Sequence, residues 1–158
     1  MKDGGIPMLL KDLLAEVPGI LETRGNLITE IKELISDSRE KTENGLFFCI
    51  SGARFNAHKF APQAAENGCV AFVVEKTLEL DAPQIVVENV RSAMAYIASA
   101  FYGHPAREIR MIGVCGTKGK TTTSFLIKSI LEEAGRKVGL IGTVCSMIGD
   151  EEIPAKLT

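Results

Sequence analysis

A glycine-rich loop at residues 116–123, GTKGKTTT, separates two stretches whose patterns predict different secondary structures. Residues 111–115 form a short apolar run, which is typical of a buried strand. Residues 121–134 are amphipathic with helical spacing, and residues 138–141 form a second short apolar run. The predicted helix has one packing face, made of Ile127, Ile130, Leu131 and Ala134. Strand, loop, helix and strand in this order predict a βαβ unit, and hence a parallel sheet in an α/β fold.

The same loop carries the residue types that bind phosphate groups. Gly116 and Gly119 permit backbone conformations that turn N–H groups toward an anion at the start of a helix. Lys120 supplies a positive charge for the β- and γ-phosphates of a nucleotide, and the Thr121 hydroxyl supplies a ligand for Mg²⁺. Val114 occupies the position where the general pattern G-x-x-x-x-G-K-[ST] has glycine. The loop is therefore a variant, and chain packing alone is the alternative explanation of its glycines.

The first hundred residues predict a separate set of strands and helices. Short apolar, β-rich runs predict buried strands at residues 46–50, 70–74 and 85–88. Amphipathic or alanine-rich patterns predict helices at residues 8–17, 61–66 and 90–102. Gly103, His104 and Pro105 end the last helix and allow a domain to close. We therefore predict an α/β domain at residues 1–106, followed at residues 107–158 by the first βαβ unit of a truncated second domain.

Charge and hydropathy exclude two classes of partner. Eighteen Lys and Arg against 20 Asp and Glu give a net charge of −2, without the basic surface that binds nucleic acid. Apolar runs such as residues 70–74 are far shorter than the roughly 20 residues that span a bilayer, and the start of the chain does not have the pattern expected of a secretory signal. Single cysteines without nearby histidine predict buried, reduced thiols at Cys49, Cys69, Cys115 and Cys145. We expect a cytoplasmic monomer that binds neither nucleic acid nor membrane.

Two separate motifs resemble those of the Mur ligases, the ATP-dependent amide-forming enzymes of peptidoglycan precursor synthesis. The loop at residues 116–123 resembles the ATP-binding loop of that family. Residues 37–39 (DSR), followed by residues 44–48 (NGLFF) and Gly52, resemble the signature of the family's uridine-diphosphate-binding domain. Residues 142–158 are most similar to the family member that adds the third amino acid to UDP-N-acetylmuramoyl-L-alanyl-D-glutamate. The resemblance covers nearly the whole chain and implies a longer enzyme that is cut within its second domain.

The resemblance implies site residues for a uridine-linked substrate, for ATP and for Mg²⁺. The implied substrate-binding residues are Ser36, Ser38, Ala53, Arg54, Phe55 and Thr158. The implied ATP-binding residues are Gly116, Thr117, Lys118, Gly119, Lys120, Thr121 and Thr122. Among these, Lys120 is the implied catalytic residue and Thr121 the implied metal ligand. Two positions depart from the common pattern, since Ala53 and Arg54 stand where the family often has His and Gln.

For the complete enzyme, the resemblance implies an activity in two steps. The γ-phosphoryl group of ATP is transferred to the D-glutamate side-chain carboxylate, and the amine of diaminopimelate or lysine then displaces phosphate from the acyl phosphate. The family's further metal-binding carboxylates, modified lysine, adenine contacts and amino-acid-selecting domain follow residue 158. The resemblance therefore implies that the chain alone has no ligase activity.

Three alternatives remain open. A neighbouring family member that adds D-alanyl-D-alanine shares both motifs. Only residues 142–158 distinguish that ligase from the one that adds the third amino acid. An unrelated P-loop NTPase would bind nucleotide, but residues 1–105 would then have no affinity for uridine nucleotides. A non-catalytic module for a UDP-sugar peptide would keep the loop as a remnant, which the intact Lys120-Thr121 pair disfavours. Folylpolyglutamate synthase shares the loop variant, but its loop lies near the start of the chain.

Overall fold

The computed structural model describes residues 7–51 and 57–154 and divides the chain into two compact units, Met1–Ile109 and Arg110–Thr158. The first unit contains β1 (Met8–Leu9), α1 (Leu10–Leu13), β2 (Ile20–Arg24), β3 (Glu30–Ile31), β4 (Glu33–Ile35), β5 (Gly45–Phe48), α2 (Ala61–Glu66), β6 (Cys69–Val74), β7 (Gln84–Val87) and α3 (Val90–Phe101). Two short 3₁₀ turns are also present, at Ala57–Phe60 and Pro105–Arg107. The second unit contains α4 (Lys120–Glu133), β8 (Gly139–Ile141), β9 (Cys145–Ile148) and β10 (Glu151–Pro154). No helix in the part of the chain that the structure describes is long and apolar enough to cross a bilayer.

Five strands of the first unit form one sheet in the order β2-β7-β6-β5-β4. The four strands from β4 to β7 are parallel to one another, and β2 closes one edge antiparallel to β7. Every residue of β5 and β7 is buried, as expected for parallel strands that are covered on both faces. A separate antiparallel pair joins β1 to β3. The predicted α/β fold is therefore confirmed.

Helices cover both faces of this sheet, which produces two hydrophobic clusters. The first cluster packs α1 and α3 against one face and includes Leu10, Val73 and Ile97. The second cluster packs α2 against the other face and includes Phe47 and Phe72, whose rings meet edge to face at 6.2 Å. Val73 and Phe72 are consecutive in β6 and belong to different clusters, as the alternation of side chains along a strand requires.

Three of the four cysteines are buried as the sequence predicts. Cys49 and Cys69 lie in the second cluster, where burial raises the pKa of the Cys49 thiol to about 12 and that of the Cys69 thiol to about 11. Cys145 is also buried. Cys115 is exposed, so the prediction of a buried thiol is wrong there, because its segment does not pack as a core strand.

Most predicted elements of the first unit are confirmed to within two residues, namely β5, β6, β7, α2 and α3. The predicted opening helix at residues 8–17 is wrong in its extent, because Met8–Leu9 pairs with β3 and only Leu10–Leu13 is helical. Its apolar spacing instead reflects burial in the first cluster, which includes Leu14 and Val17 beyond the end of the helix. Strand β2 has no apolar alternation, since four of its five residues are exposed, and the sequence therefore does not reveal it.

The second unit differs from the predicted βαβ unit. Helix α4 and strand β8 lie where they are predicted, but β8 pairs antiparallel with β9, and β9 pairs antiparallel with β10. Residues 111–115 do not form a strand, and Met111 and Ile112 are exposed. An antiparallel meander closes through short local turns, whereas a parallel partner for β8 requires a crossover connection. Strands β8, β9 and β10 therefore pair with their neighbours in sequence and form an antiparallel sheet.

Helix α4 also packs with a different face from the predicted one. Ile127 and Leu131 are half-buried, but Ile130 is 67% exposed and Ala134 is exposed. Lys128 is buried instead, and its Nζ donates a hydrogen bond to Glu132 at 2.7 Å. The long aliphatic stem of a lysine can cover apolar surface while its charge is paired, which explains how this position replaces Ile130.

Candidate functional site

The carboxyl ends of three neighbouring parallel strands gather several polar residues at one edge of the sheet, which we call the carboxyl edge. Residues 36–38 follow β4, Ser51 lies just beyond β5, and Glu75 follows β6. Because β4, β5 and β6 are hydrogen-bonded neighbours, these segments lie side by side, about 4.8 Å per strand apart. The helices that follow β5 and β7 pack on opposite faces of the sheet. In open α/β sheets, ligands bind outside the carboxyl ends of the strands.

Ser38 is held firmly at this edge. Its side chain is nearly buried, and its Oγ donates to Gln63 Oε1 of α2 at 3.0 Å. Asn67 Nδ2 donates to the Ser38 carbonyl oxygen at 2.8 Å. The segment after β4 is therefore fixed to the middle of α2 and to its C-cap, while the Ser38 hydroxyl oxygen keeps acceptor capacity.

Ser36, two residues before Ser38, is exposed. The residues on either side of Ser38, Asp37 and Arg39, form an ion pair. Asp37 accepts from the Arg39 backbone N–H at 3.0 Å and from the Arg39 guanidinium, so these residues form a tight polar turn. The remaining predicted substrate residues of the chain lie outside the described residues: Ala53, Arg54, Phe55 and Thr158. Their substrate contacts remain predictions.

Replacing Ser38 by alanine should lower the free energy of unfolding by about 1 kcal/mol, because a buried hydrogen bond to Gln63 is lost. Ser36→Ala is the matched control, since Ser36 is exposed and its loss should leave stability unchanged. Urea unfolding followed by tyrosine fluorescence measures the difference, because both tyrosines, Tyr96 and Tyr102, belong to the first unit. Equal effects of the two substitutions would contradict the anchoring role of Ser38.

His58 bridges two strand ends at the carboxyl edge, and the sequence analysis does not identify it. Its Nδ1 lies 3.4 Å from Ser51 Oγ, and its Nε2 accepts from the Glu75 backbone N–H at 3.3 Å. Glu75 Oε1 in turn accepts from the Val90 backbone N–H, at the start of α3, at 3.4 Å. The available signal is that His58 follows β5 by ten residues in the sequence, but periodicity alone cannot reveal contacts between segments that lie far apart in the sequence.

The second unit carries the predicted phosphate loop at the start of α4. Gly119 precedes the helix with a φ of +76°, a left-handed conformation that favours glycine. The first helical hydrogen bond runs from Thr123 N to Gly119 O at 2.9 Å, so the N–H groups of Lys120, Thr121 and Thr122 precede the internal ladder of the helix. They are the donors that a helix N-terminus offers to an anion.

The side chains of the loop are compatible with a bound phosphate. Lys120 Nζ donates to the Gly116 carbonyl oxygen at 2.8 Å, so the ammonium group lies over the loop. Thr117, Lys118 and Thr121 are exposed, as are Lys120 and Gly116. Among the described residues no three His, Cys, Asp or Glu side chains converge as a metal site. The exposed Thr121 hydroxyl is an oxygen ligand of the kind that Mg²⁺ accepts.

Comparison with protein families matches residues 30–102, from β3 to the end of α3, to the model described as "Mur ligase family, catalytic domain". A curated relative from Geobacillus thermodenitrificans, UDP-N-acetylmuramoyl-L-alanyl-D-glutamate--2,6-diaminopimelate ligase, is 47% identical over 148 residues. That match covers 94% of this chain and 30% of the relative. A ligase of the same name from Clostridium tetani is 44% identical over 157 residues, which cover 96% of this chain and 32% of the relative.

Solved structures give the same family. A structure of MurF from Acinetobacter baumannii superposes with a TM-score of 0.65 at 29% identity, over 82% of this chain and 28% of that chain. A diaminopimelate ligase structure superposes with a TM-score of 0.68 over 94% of this chain and 30% of that chain, and at 20% identity it supports the fold alone. MurF from Thermotoga maritima in complex with ADP gives a TM-score of 0.50 at 29% identity, over 64% of this chain and 23% of that chain. Together with the fold and the two motifs, these matches show that the chain belongs to the Mur ligase family.

Proposed function

We propose that this chain forms part of an ATP-dependent ligase that joins diaminopimelate to UDP-N-acetylmuramoyl-L-alanyl-D-glutamate. The observation that carries the proposal is the 47% identity, over 94% of the chain, to a ligase of that name. The chain spans 30% of the length of this relative, so the activity belongs to the complete protein. Lysine in place of diaminopimelate is the alternative amino acid. The proposed location of the enzyme is the cytoplasm.

We assign substrate binding to the first unit and nucleotide binding to the second. The carboxyl edge, with Ser36 and Ser38 after β4, is the proposed site of the uridine diphosphate group. Two considerations support this assignment: ligands of open α/β sheets bind outside the carboxyl ends of the strands, and hydrogen bonds fix the Ser38 segment to α2 and its C-cap. The proposed substrate loop at Ala53, Arg54 and Phe55 follows β5, whose end is the neighbour of the β4 end in the sheet.

The proposed nucleotide site is the loop from Gly116 to Thr122. When ATP is bound, it supplies the phosphoryl group that activates the substrate carboxylate. The N–H groups at the start of α4 and the ammonium group of Lys120 hold and neutralise phosphate oxygens, and Thr121 holds Mg²⁺. The chain positions charge and does no covalent chemistry of its own, and we expect the 158 residues alone to have no ligase activity.

The second candidate is a ligase of the MurF type, which would add D-alanyl-D-alanine. Its support is the sequence identity among the solved structures, 29% for MurF from Acinetobacter baumannii against 20% for the diaminopimelate ligase structure, while the TM-scores are similar, 0.65 and 0.68. The two sequence relatives described above are 47% and 44% identical and carry the other name, which is why we place the diaminopimelate ligase first.

Calorimetric titration of the 158-residue chain tests the proposed function. We expect UDP and UDP-N-acetylmuramoyl-L-alanyl-D-glutamate to bind and to raise the melting temperature by mass action, and GDP to do neither. A tripeptide-linked substrate that already carries the third amino acid should bind more weakly than the dipeptide form, whereas a MurF-type chain would prefer the tripeptide form. If MgATP bound to the chain and neither uridine ligand did, an unrelated NTPase would be favoured and the proposal would be contradicted.

A further inference from the structure

The hydrogen bonds of His58 determine which of its nitrogens carries the proton. The backbone N–H of Glu75 can only donate, so Nε2 must offer its lone pair and the proton of the neutral ring lies on Nδ1. Nδ1–H then donates to Ser51 Oγ. The Ser51 hydroxyl accepts this bond and retains its own proton for donation. The ring therefore orients an exposed hydroxyl at the carboxyl edge, two residues before Ala53 in the sequence.

Protonation of His58 conflicts with this arrangement. A charged ring would present an Nε2–H group to the Glu75 N–H, where two donors face each other. Burial, the largest effect, lowers the pKa of His58, the nearby charge of Glu75 raises it and that of Lys76 lowers it. Because the folded-state pKa lies below the ordinary value of about 6.5, the stabilising effect of the neutral ring is complete above that pH and declines as the pH falls.

We propose that His58 is a positioning residue of the uridine site: it holds Ser51 as a hydrogen-bond donor to an oxygen of the bound uridine diphosphate ligand, and protonation weakens this hold because it removes the Nε2 acceptor that fixes the ring to the Glu75 N–H. Strand geometry carries this inference together with the two hydrogen bonds. The end of β5 lies between the ends of β4 and β6, so Ser51 is placed beside the segment of Ser36 and Ser38. The inference rests on the proposed function and adds a residue and a pH dependence to it.

The test is calorimetric titration of the 158-residue chain with UDP-N-acetylmuramoyl-L-alanyl-D-glutamate between pH 5.5 and 7.5. The phosphate diester and carboxyl groups of this ligand do not titrate in that range. For the unmodified chain we expect the Kd to rise as the pH falls, by less than the roughly tenfold loss of neutral form that a histidine with the ordinary pKa of about 6.5 undergoes at pH 5.5. His58→Gln keeps an acceptor for the Glu75 N–H and cannot titrate, so its Kd should be independent of pH.

Two further variants separate positioning from stability. Ser51→Ala should weaken binding at pH 7.5 about threefold to tenfold and should also remove the pH dependence, because the oriented donor is lost. His104→Asn is the matched control, since His104 is the other histidine of the chain and its left-handed backbone conformation, φ +55°, suits asparagine. It should keep the pH profile of the unmodified chain. A merely structural role of His58 would shift the melting temperature of His58→Gln but leave the pH dependence of its Kd.

The outcomes distinguish this inference from the proposed function. A pH-independent Kd in the unmodified chain, or an unchanged pH profile in His58→Gln, would overturn the role of His58 while the uridine site stands. Failure of the unmodified chain to bind the ligand at any pH would overturn the proposed function and the inference together.

Discussion

Replacing Gly68 by alanine should lower the free energy of unfolding of the first unit by about 3 kcal/mol or more, the largest effect that we expect from a single methyl group. Gly68 ends the turn after α2 with a φ of +101°, where an L side chain is strained. An added Cβ would lie 1.9 Å from the Thr42 carbonyl oxygen. This obstacle is backbone, so the structure can relieve the clash only by moving a segment of the chain.

The segments that would have to move are tied to the sheet. The Gly68 N–H donates to Ala65 O at 3.0 Å and closes α2, while Gly68 O accepts from Gly45 N at 3.2 Å at the start of β5. Thr42 N donates to Asn67 O at 2.9 Å, which holds the β4–β5 connection against the same turn. A shift of either strand would break these bonds. The cost is a large part of the 5–15 kcal/mol that stabilises a typical domain.

Gly103→Ala provides the matched control for this prediction. Gly103 also has a positive φ, +71°, but nothing lies within 4 Å of a Cβ built there. Gly103→Ala should lower the free energy of unfolding by only about 1 kcal/mol, because only the strained backbone conformation contributes. Urea unfolding followed by far-UV circular dichroism and tyrosine fluorescence compares the two variants. If both variants lowered the free energy of unfolding by the same amount, the clash with Thr42 would contribute nothing to the effect of Gly68→Ala.

The first unit could be predicted from its sequence because its strands are buried on both faces. Runs such as residues 70–74 are apolar throughout, and the residues that end the helices, such as Asn67-Gly68, are unambiguous turn formers. Strand β2 could not be predicted, because it lies at the edge of the sheet, paired only with β7, and most of its side chains are exposed. Its sequence therefore lacks the apolar pattern of a buried strand. The His58 bridge could not be found either, since it depends on which strands are neighbours and not on any local pattern.

The second unit shows where sequence patterns fail to predict the structure. An apolar run at residues 111–115 predicts a strand, but a strand forms only when a neighbour offers hydrogen bonds, and β8 pairs with β9 instead. The phosphate loop, in contrast, depends on local chemistry. Gly119 and Lys120 specify a left-handed residue followed by a helix start, and the structure has both. Local features were therefore predicted correctly here, and the sheet arrangement was not.

Replacing Lys120 by alanine should weaken MgATP binding by about one to two orders of magnitude, as expected when a charged hydrogen-bond partner of a phosphate is removed. The Lys120 ammonium group already lies over the loop, 2.8 Å from the Gly116 carbonyl oxygen, so it needs only a small movement to reach an anion in front of the helix. Stability should not change, because Lys120 is exposed. Calorimetric titration with MgATP and thermal unfolding measure the two quantities separately.

Lys118→Ala is the matched control, because Lys118 is also exposed and lies two residues away in the same loop. It adds positive charge near the phosphates but precedes the helix start, so it should attract ATP only through long-range electrostatics. Lys118→Ala should weaken ATP binding by about threefold at low salt. This effect should vanish near 1 M salt, where the Debye length is only about 3 Å. The Lys120→Ala effect should persist at high salt, since direct contact is screened much less. Equal losses for the two lysines, with the same salt dependence, would mean that the loop attracts nucleotides by charge without holding their phosphates.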